Sequence, residues 1–399
     1  MTDAAGGPLA GVRVIELAGL GPGPFCCMLL ADLGAEVIRV DRPGGSPSPS
    51  SRGPDVTRRG TDVSGRGKRQ IVVDLKHPRG AEVVLRLAER SDALIEGYRP
   101  GVAERLGVGP ADCLARSPAL VYGRMTGWGQ DGPIARSAGH DIAYIAVTGA
   151  LHAIGRAEGP PQVPVTYLGD FGGGAMFLAL GVVAALLSAR VSGRGQVVDA
   201  AIVDGTAMLQ AMTYGPLADG SWTDARGVNM LDTGAPYYDV YSTADGRHMA
   251  VGALEPRFYA EFTRLLFSPE GVPGDLPSQN DRSRWPELRQ RFAARFAERS
   301  REEWSKSFRG TEACVAPVLS MTEAPGDPQL AARGTFVTVD GVTQPAPAPR
   351  FGPGTPGAAI GALPPGRIAP IGAHTREVLT GLGFEDADDL LTSGAAWQA

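Results

Sequence analysis

Apolar positions come first in short runs and then at helical spacing, and this alternation repeats. Residues 12–17 (VRVIEL) form a β-prone run, a Gly/Pro turn follows, and FCCMLLADLG has the apolar density of a buried helix. EVIRVD at 36–41 supplies the next strand, so the opening segment reads as β-α-β with a parallel pair. QIVVDL (70–75), a helix over 81–88, ALIEG (93–97) and LVYGRM (120–125) continue the rhythm. The pattern predicts a doubly wound α/β core. Two further helices begin near Ser137 and Asp170, a strand lies at 195–198, and a helical stretch runs through Met212.

The pattern changes after Tyr214, where GPLADGSWTDARGVN is polar and rich in turn formers. YYDVYSTADGRHMAVGAL then alternates around Asp245-Gly246, a hairpin signal, and 258–267 and 285–296 return to helical spacing. The expected organisation is a large domain over 1–214, a linker over 215–236 and a small α+β domain over 237–319. A linker and C-terminal segment over 320–399 returns to the large domain, its proline- and glycine-rich part at 343–370 extended.

A chain of 399 residues exceeds what one core usually holds, which supports two units. Residues 1–8 lack an export signal's basic start and apolar core, so the expected location is cytoplasmic. The apolar run at 171–187 is interrupted by three glycines and ends at Ser188, which reads as a buried core helix and not a membrane span. Cys26, Cys27, Cys113 and Cys314 make neither a disulfide framework nor a four-ligand metal pattern and read as packed thiols. Net charge is -5, which gives no general attraction to nucleic acid or anionic membrane. Arg58, Arg59, Arg66, Lys68 and Arg69 nevertheless concentrate positive charge with Asp62 as the single carboxylate among them, a patch suited to a polyphosphate.

Gly19, Gly21 and Gly23 follow the first strand, and Asp41 ends the second. This order is compatible with a dinucleotide turn and its ribose-binding acid, although Pro24 stands where the third glycine belongs. Two alternatives stay open: glycines that only bring helix and strand together, and an adenine nucleotide bound in another way.

Three segments carry proton chemistry. His140 and Asp141 open a helical pattern, where an imidazole can exchange protons near neutral pH and the first-turn N–H groups lack intrahelical partners. A surface histidine is the plain alternative. Asp170 precedes FGGGAMFLALGVVAALL and reads as a helix cap, or as a carboxylate that a ligand can approach past the glycines. Glu255 ends the hairpin in GALEP and could orient the imidazole of His140.

Taken with VIELAGLGPGPF, ADLGAEVIRVDRP, IEGYRPGVAERLG, YGRMTGWGQDGP, AGHDIAY, YLGDFGGG, GQVVDA, GAPYYDVY and GALEPRFY, these residues resemble the alpha-methylacyl-CoA racemase group of the family III CoA-transferase superfamily, over about 9–319. The resemblance implies a Rossmann-like large domain, a smaller α+β domain and an interlocked homodimer. It implies racemisation or epimerisation of the 2-methyl stereocentre of 2-methylacyl-CoA thioesters by 1,1-proton transfer through an enolate. No cofactor takes part in that chemistry, and coenzyme A is bound as part of the substrate. By the same resemblance His140 and Asp170 are the acid–base pair, Glu255 is the partner of the histidine, and the Asp141 backbone amide faces the enolate oxygen. Arg42, Arg99 and Arg105, with Arg66, Lys68 and Arg69, are the expected contacts to coenzyme A. In the transferase branch the residue matching Asp170 is instead a nucleophile that forms covalent intermediates, and this is the competing function. Neither nucleic acid nor membrane insertion is expected.

Overall fold

The computed structural model describes residues 6–44, 61–352 and 361–399. Its contacts divide it into two compact units, one of residues 1–148, 165–209 and 329–399, the other of 149–164 and 210–328. The division departs from the sequence boundaries at four places: 149–164 leaves the large unit, 215–236 belongs to the small one, and so do 210–214 and 320–328. Asn229 explains the second departure, because its side chain binds the Thr223 and Ala225 carbonyls and Asp232, which makes a built loop of the expected linker.

In the first unit, β1 (Arg13–Leu17), β2 (Glu36–Asp41), β3 (Lys68–Val73), β4 (Ala93–Glu96), β5 (Val121–Thr126) and β6 (Val197–Ala201) form one parallel sheet. A terminal strand, Ala396–Trp397, pairs antiparallel with β3, and the order is terminal strand, β3, β2, β1, β4, β5, β6. Helices α1 (Pro22–Asp32) and α2 (Gly80–Ala88) connect the early strands. Both sheet faces are covered, one by a cluster around Ile15, Ile38, Ile71 and Leu87, the other by a cluster around Val14, Val37, Leu30 and Leu178, and this explains why the strands read as continuous apolar runs.

Helix α3 (Asp141–Val147) precedes a nine-residue π-helix, Tyr167–Ala175, that runs into α4 (Met176–Ser192); α5 (Ile202–Leu209) follows β6. Side chains on one face of α4, among them Leu178 and Val182, are buried, but Leu180 is 66% and Val191 83% exposed. The expectation of a buried core helix therefore holds for one face only. The segment 167–192 is long and apolar enough to cross a membrane, with 39% of its most apolar window buried in the protein. The segment after 328 belongs to the first unit and contains a hairpin of Phe336–Val339 and Val342–Pro345, two short helices and the terminal strand.

The second unit holds an antiparallel sheet of β7 (Tyr238–Ser242), β8 (His248–Gly252) and β9 (Val315–Pro317). Helices α6 (Pro256–Leu266), α7 (Trp285–Phe296) and α8 (Arg301–Phe308) supply its core, where Phe262, Phe292, Phe296, Trp304 and Phe308 interlock in stacked and edge-on pairs.

Candidate active site

Gly21 begins the site. It stands at the N-cap of α1 with φ +64, a conformation open mainly to glycine, and Pro22 follows in the first turn, where a missing N–H costs no helical bond. A Cβ added to Gly21 would stand 3.1 Å from Oδ2 of Asp170. The glycine-rich turn thus meets a carboxylate. The dinucleotide reading fails at the acid that supported it, since Asp41 is 1% exposed and its carboxylate accepts two bonds from Arg39, at 2.9 and 3.3 Å.

Asp170 lies in the π-helix, an irregularity frequent at functional sites. The glycines after it serve packing more than ligand access. A Cβ on Gly173 would lie 2.4 Å from the Thr206 hydroxyl and one on Gly205 1.8 Å from the Gly173 carbonyl, so α5 and the π-helix touch backbone to backbone. Burial raises the Asp170 carboxyl to about 6, helped by the negative charge of Asp141 and opposed by His140.

His140 is the N-cap residue of α3, extended at φ -135 and ψ 168, and its exposed side chain makes no capping bond. The imidazole is therefore not consumed by the helix it begins. Asp141 follows with its side chain 4% exposed, and its Oδ1 accepts the backbone N–H of Asp170 at 2.6 Å. This bond ties the histidine-bearing helix start to the aspartate-bearing turn. Tyr144, a residue that sequence reasoning missed, interacts electrostatically with both Asp170 and Arg99. Its ring lies so close to Gly127 and Gly139 that a Cβ there would stand 2.0 and 2.6 Å from it. The spacing from His140 to Tyr144, one helical turn, was the available signal. Glu255 is the exposed N-cap residue of α6 in the second unit.

The basic residues separate into two groups. Arg66 is buried, grips Asp32 at 2.5 and 3.0 Å, and also donates to Gln344 and the Pro345 carbonyl. With Asp32, Asp62 and Ser64 it lines the polar side of a cavity of about 570 Å³ whose apolar side includes Phe25, Met28 and Phe171. Lys68 is buried between Glu16, at 2.5 Å, and the Pro24 carbonyl, at 2.8 Å. Arg69 bridges Glu36 and Glu377. Their shared patch is corrected accordingly: Arg66 and Lys68 are internal counter-ions, and Arg58 and Arg59 lie outside the described residues. Arg42 after β2, Arg99 after β4 and Arg105 are exposed, and the first two stand at the C-terminal edge of the parallel sheet, where α/β folds place ligands.

Cys26, Cys27 and Cys113 are buried, and burial raises their thiols, Cys113 to about 12. Cys314 departs from the packed-thiol expectation because it is exposed. Among the described residues no group of three or more His, Cys, Asp or Glu is placed to hold a metal ion.

The family model for CoA-transferase family III matches residues 9–375. The chain belongs to CoA-transferase family III. Within it, the human protein named alpha-methylacyl-CoA racemase is 46% identical over 379 residues, covering 94% of each chain. A mouse protein named succinyl-CoA:glutarate CoA-transferase is 30% identical over 93% of this chain and 86% of its own. The crystal structure of a CaiB/BaiF family protein from Brucella suis matches with a TM-score of 0.78 at 24% identity, covering 94% of this chain and 100% of that one, which establishes the shared fold. Membership of family III makes this chain an enzyme of the CoA-transferase and racemase group acting on acyl-CoA thioesters.

Proposed function

We propose that the chain is an alpha-methylacyl-CoA racemase that inverts the carbon next to the thioester carbonyl of 2-methylacyl-CoA by proton transfer alone. The observation that carries the reading is the joining of His140 and Asp170 through Asp141, with the Asp170 carboxyl raised to about 6. A group titrating there can be base and conjugate acid near neutral pH, which racemisation demands of both partners. The similarity to the human racemase supports the same choice.

In the proposed reaction one of the two groups takes the proton from C2. The C–H electron pair moves into the thioester, and negative charge gathers on its oxygen. The first-turn N–H of Asp141 faces that oxygen, and a donor fixed in advance spares the reorganisation that water would need. The other group returns a proton to the opposite face. Each serves as base for one enantiomer and as acid for the other. Glu255 orients the imidazole by the family resemblance, and Arg42, Arg99 and Arg105 hold the CoA phosphates through charge-assisted bonds. A homodimer belongs to the same reading and is supported by the apolar side chains that α4 leaves exposed. Light scattering should report two chains per particle; a single chain would remove that part.

The competing reading is CoA transfer through a covalent Asp170 intermediate, favoured by the 30% identity to a named transferase. One enantiomer of a 2-methylacyl-CoA incubated in deuterated water separates the two. Racemisation yields both enantiomers with deuterium at C2, whereas acyl exchange onto a free acid without C2 label means transfer.

A further inference from the structure

The carboxylate of Asp141 is spent in an unusual way. It is 4% exposed, its Oδ1 accepts the backbone N–H of Asp170 at 2.6 Å, and the backbone of Gly169 also favours its charged form. Its Oδ2 is equally buried yet accepts no hydrogen bond from any described residue. Gly169 makes room for this arrangement, since a Cβ there would stand 2.3 Å from Oδ1. A turn built around one buried carboxylate oxygen, with the second oxygen unpartnered, exceeds what capping requires, because a serine or an asparagine would satisfy the same N–H without burying a charge.

We propose that the Asp141 side chain is a positioning residue for Asp170: one carboxylate oxygen fixes the turn that carries Asp170, and the charge of the carboxylate opposes a second negative charge on its neighbour. Asp170 is thereby kept able to return a proton as well as to remove one. The inference rests on the proton-transfer reading above for its consequence in catalysis, but not for the interaction itself.

The surroundings leave Asp141 the principal negative neighbour. Of the elements packed against the π-helix, α3 and its cap bring His140, Asp141 and Tyr144 into electrostatic contact with Asp170. Helix α1 faces the π-helix with Gly21 and with Phe25, whose ring lies 4.6 Å from that of Phe171. Strand β5 carries Arg124, which is engaged by Glu96 and Glu104. Asp199 on β6 and Asp204 on α5 interact with each other and not with Asp170, and α4 brings no acid in its first turn. Burial and the Asp141 charge thus act in the same direction, with His140 opposing both.

The test is a pH titration of the Asp170 carboxyl by carbon-13 NMR of protein carrying labelled aspartate, comparing the wild type with Asp141→Asn. Asparagine keeps the oxygen that accepts the backbone N–H and removes the charge, so a purely structural role predicts no change. We expect the Asp170 midpoint to fall by about one pH unit when the like charge is removed. An unchanged midpoint in folded Asp141→Asn overturns the inference. Should that variant not fold, Asp141→Ser serves, because a hydroxyl can still accept a backbone N–H but carries no charge. In Asp141→Ser the Asp170 midpoint must likewise fall, and its constancy overturns the inference equally. The acid limb of the pH profile for C2 deuterium exchange, measured in parallel, should move with the Asp170 midpoint. A shifted midpoint with an unmoved limb would leave the interaction standing and remove Asp170 as the base, so the two readings fail separately.

Discussion

Two charged clusters occupy the first unit of this protein, one sealed and one open. In the sealed cluster Glu16, Arg39, Asp41 and Lys68 are each 4% exposed or less and pair with one another across β1, β2 and β3. In the open cluster His140 is exposed, Asp170 is half-buried, and Asp141 is buried with one oxygen unpartnered. Burial raises the carboxyls of Asp41 and Asp170 alike, but Arg39 compensates the first at hydrogen-bonding distance, while a histidine that can lose its charge opposes the second. A buried charge with a permanent counter-ion becomes architecture, and one without becomes available for proton exchange.

The largest effect is expected where that distinction is broken from the sealed side. Lys68→Met leaves Glu16 buried without its closest cation and should destabilise the fold by about 3 kcal/mol in denaturant titration. A loss under about 1 kcal/mol would mean that the sealed cluster is not a structural unit. Arg42 directly follows Asp41 but is exposed, and Arg42→Ala should do the opposite. Stability should change by less than about 1 kcal/mol, while CoA affinity at modest salt falls about tenfold or more, as loss of a charge-assisted phosphate contact implies. Calorimetric titration with CoA would show this, and an unchanged affinity would remove Arg42 from the phosphate site.

The smallest effect carries the most informative sign. Because the folded-state carboxyl of Asp170 is raised from 3.8 to about 6, the fold favours its protonated form. The corresponding stability is full below the unfolded value and lost as pH rises through about 6, so the ionised group is a liability above that pH. Asp170→Asn should therefore match wild-type stability near pH 4 and exceed it by about 1 kcal/mol at pH 8, allowing for solvent screening. Equal melting temperatures at both pH values would place Asp170 in an ordinary solvated environment.

Much of this was legible in the sequence because periodicity reports local structure directly. The strand at 36–41 and the helix at 285–296 fall on their expected residues, and both follow from uninterrupted apolar patterns. The terminal strand that pairs with β3 was not read from the sequence, since two residues carry no period. Charge patterning misled at Arg66 and Lys68: a run of basic residues looks the same whether it faces solvent or the distant partners Asp32 and Glu16, and the partners are set by tertiary packing. For the same reason the contact between Gly21 and Asp170 could not be read from spacing, although both residues were individually conspicuous. Asp141 was read for its backbone amide, and the bond from its side chain to the turn at Asp170 became visible only in the fold.

The central claim, that His140 and Asp170 share one substrate carbon from opposite sides, is tested most directly by enantiomer-resolved exchange of the C2 proton in deuterated water. Starting from each pure 2-methylacyl-CoA enantiomer, His140→Ala and Asp170→Ala should both abolish inversion. Each should still exchange the proton of one enantiomer, and the two variants should prefer opposite ones. Glu255→Ala should slow only the exchange that depends on His140. Equal residual exchange from both enantiomers in His140→Ala, with normal folding and CoA affinity, would contradict the two-sided assignment and require another base.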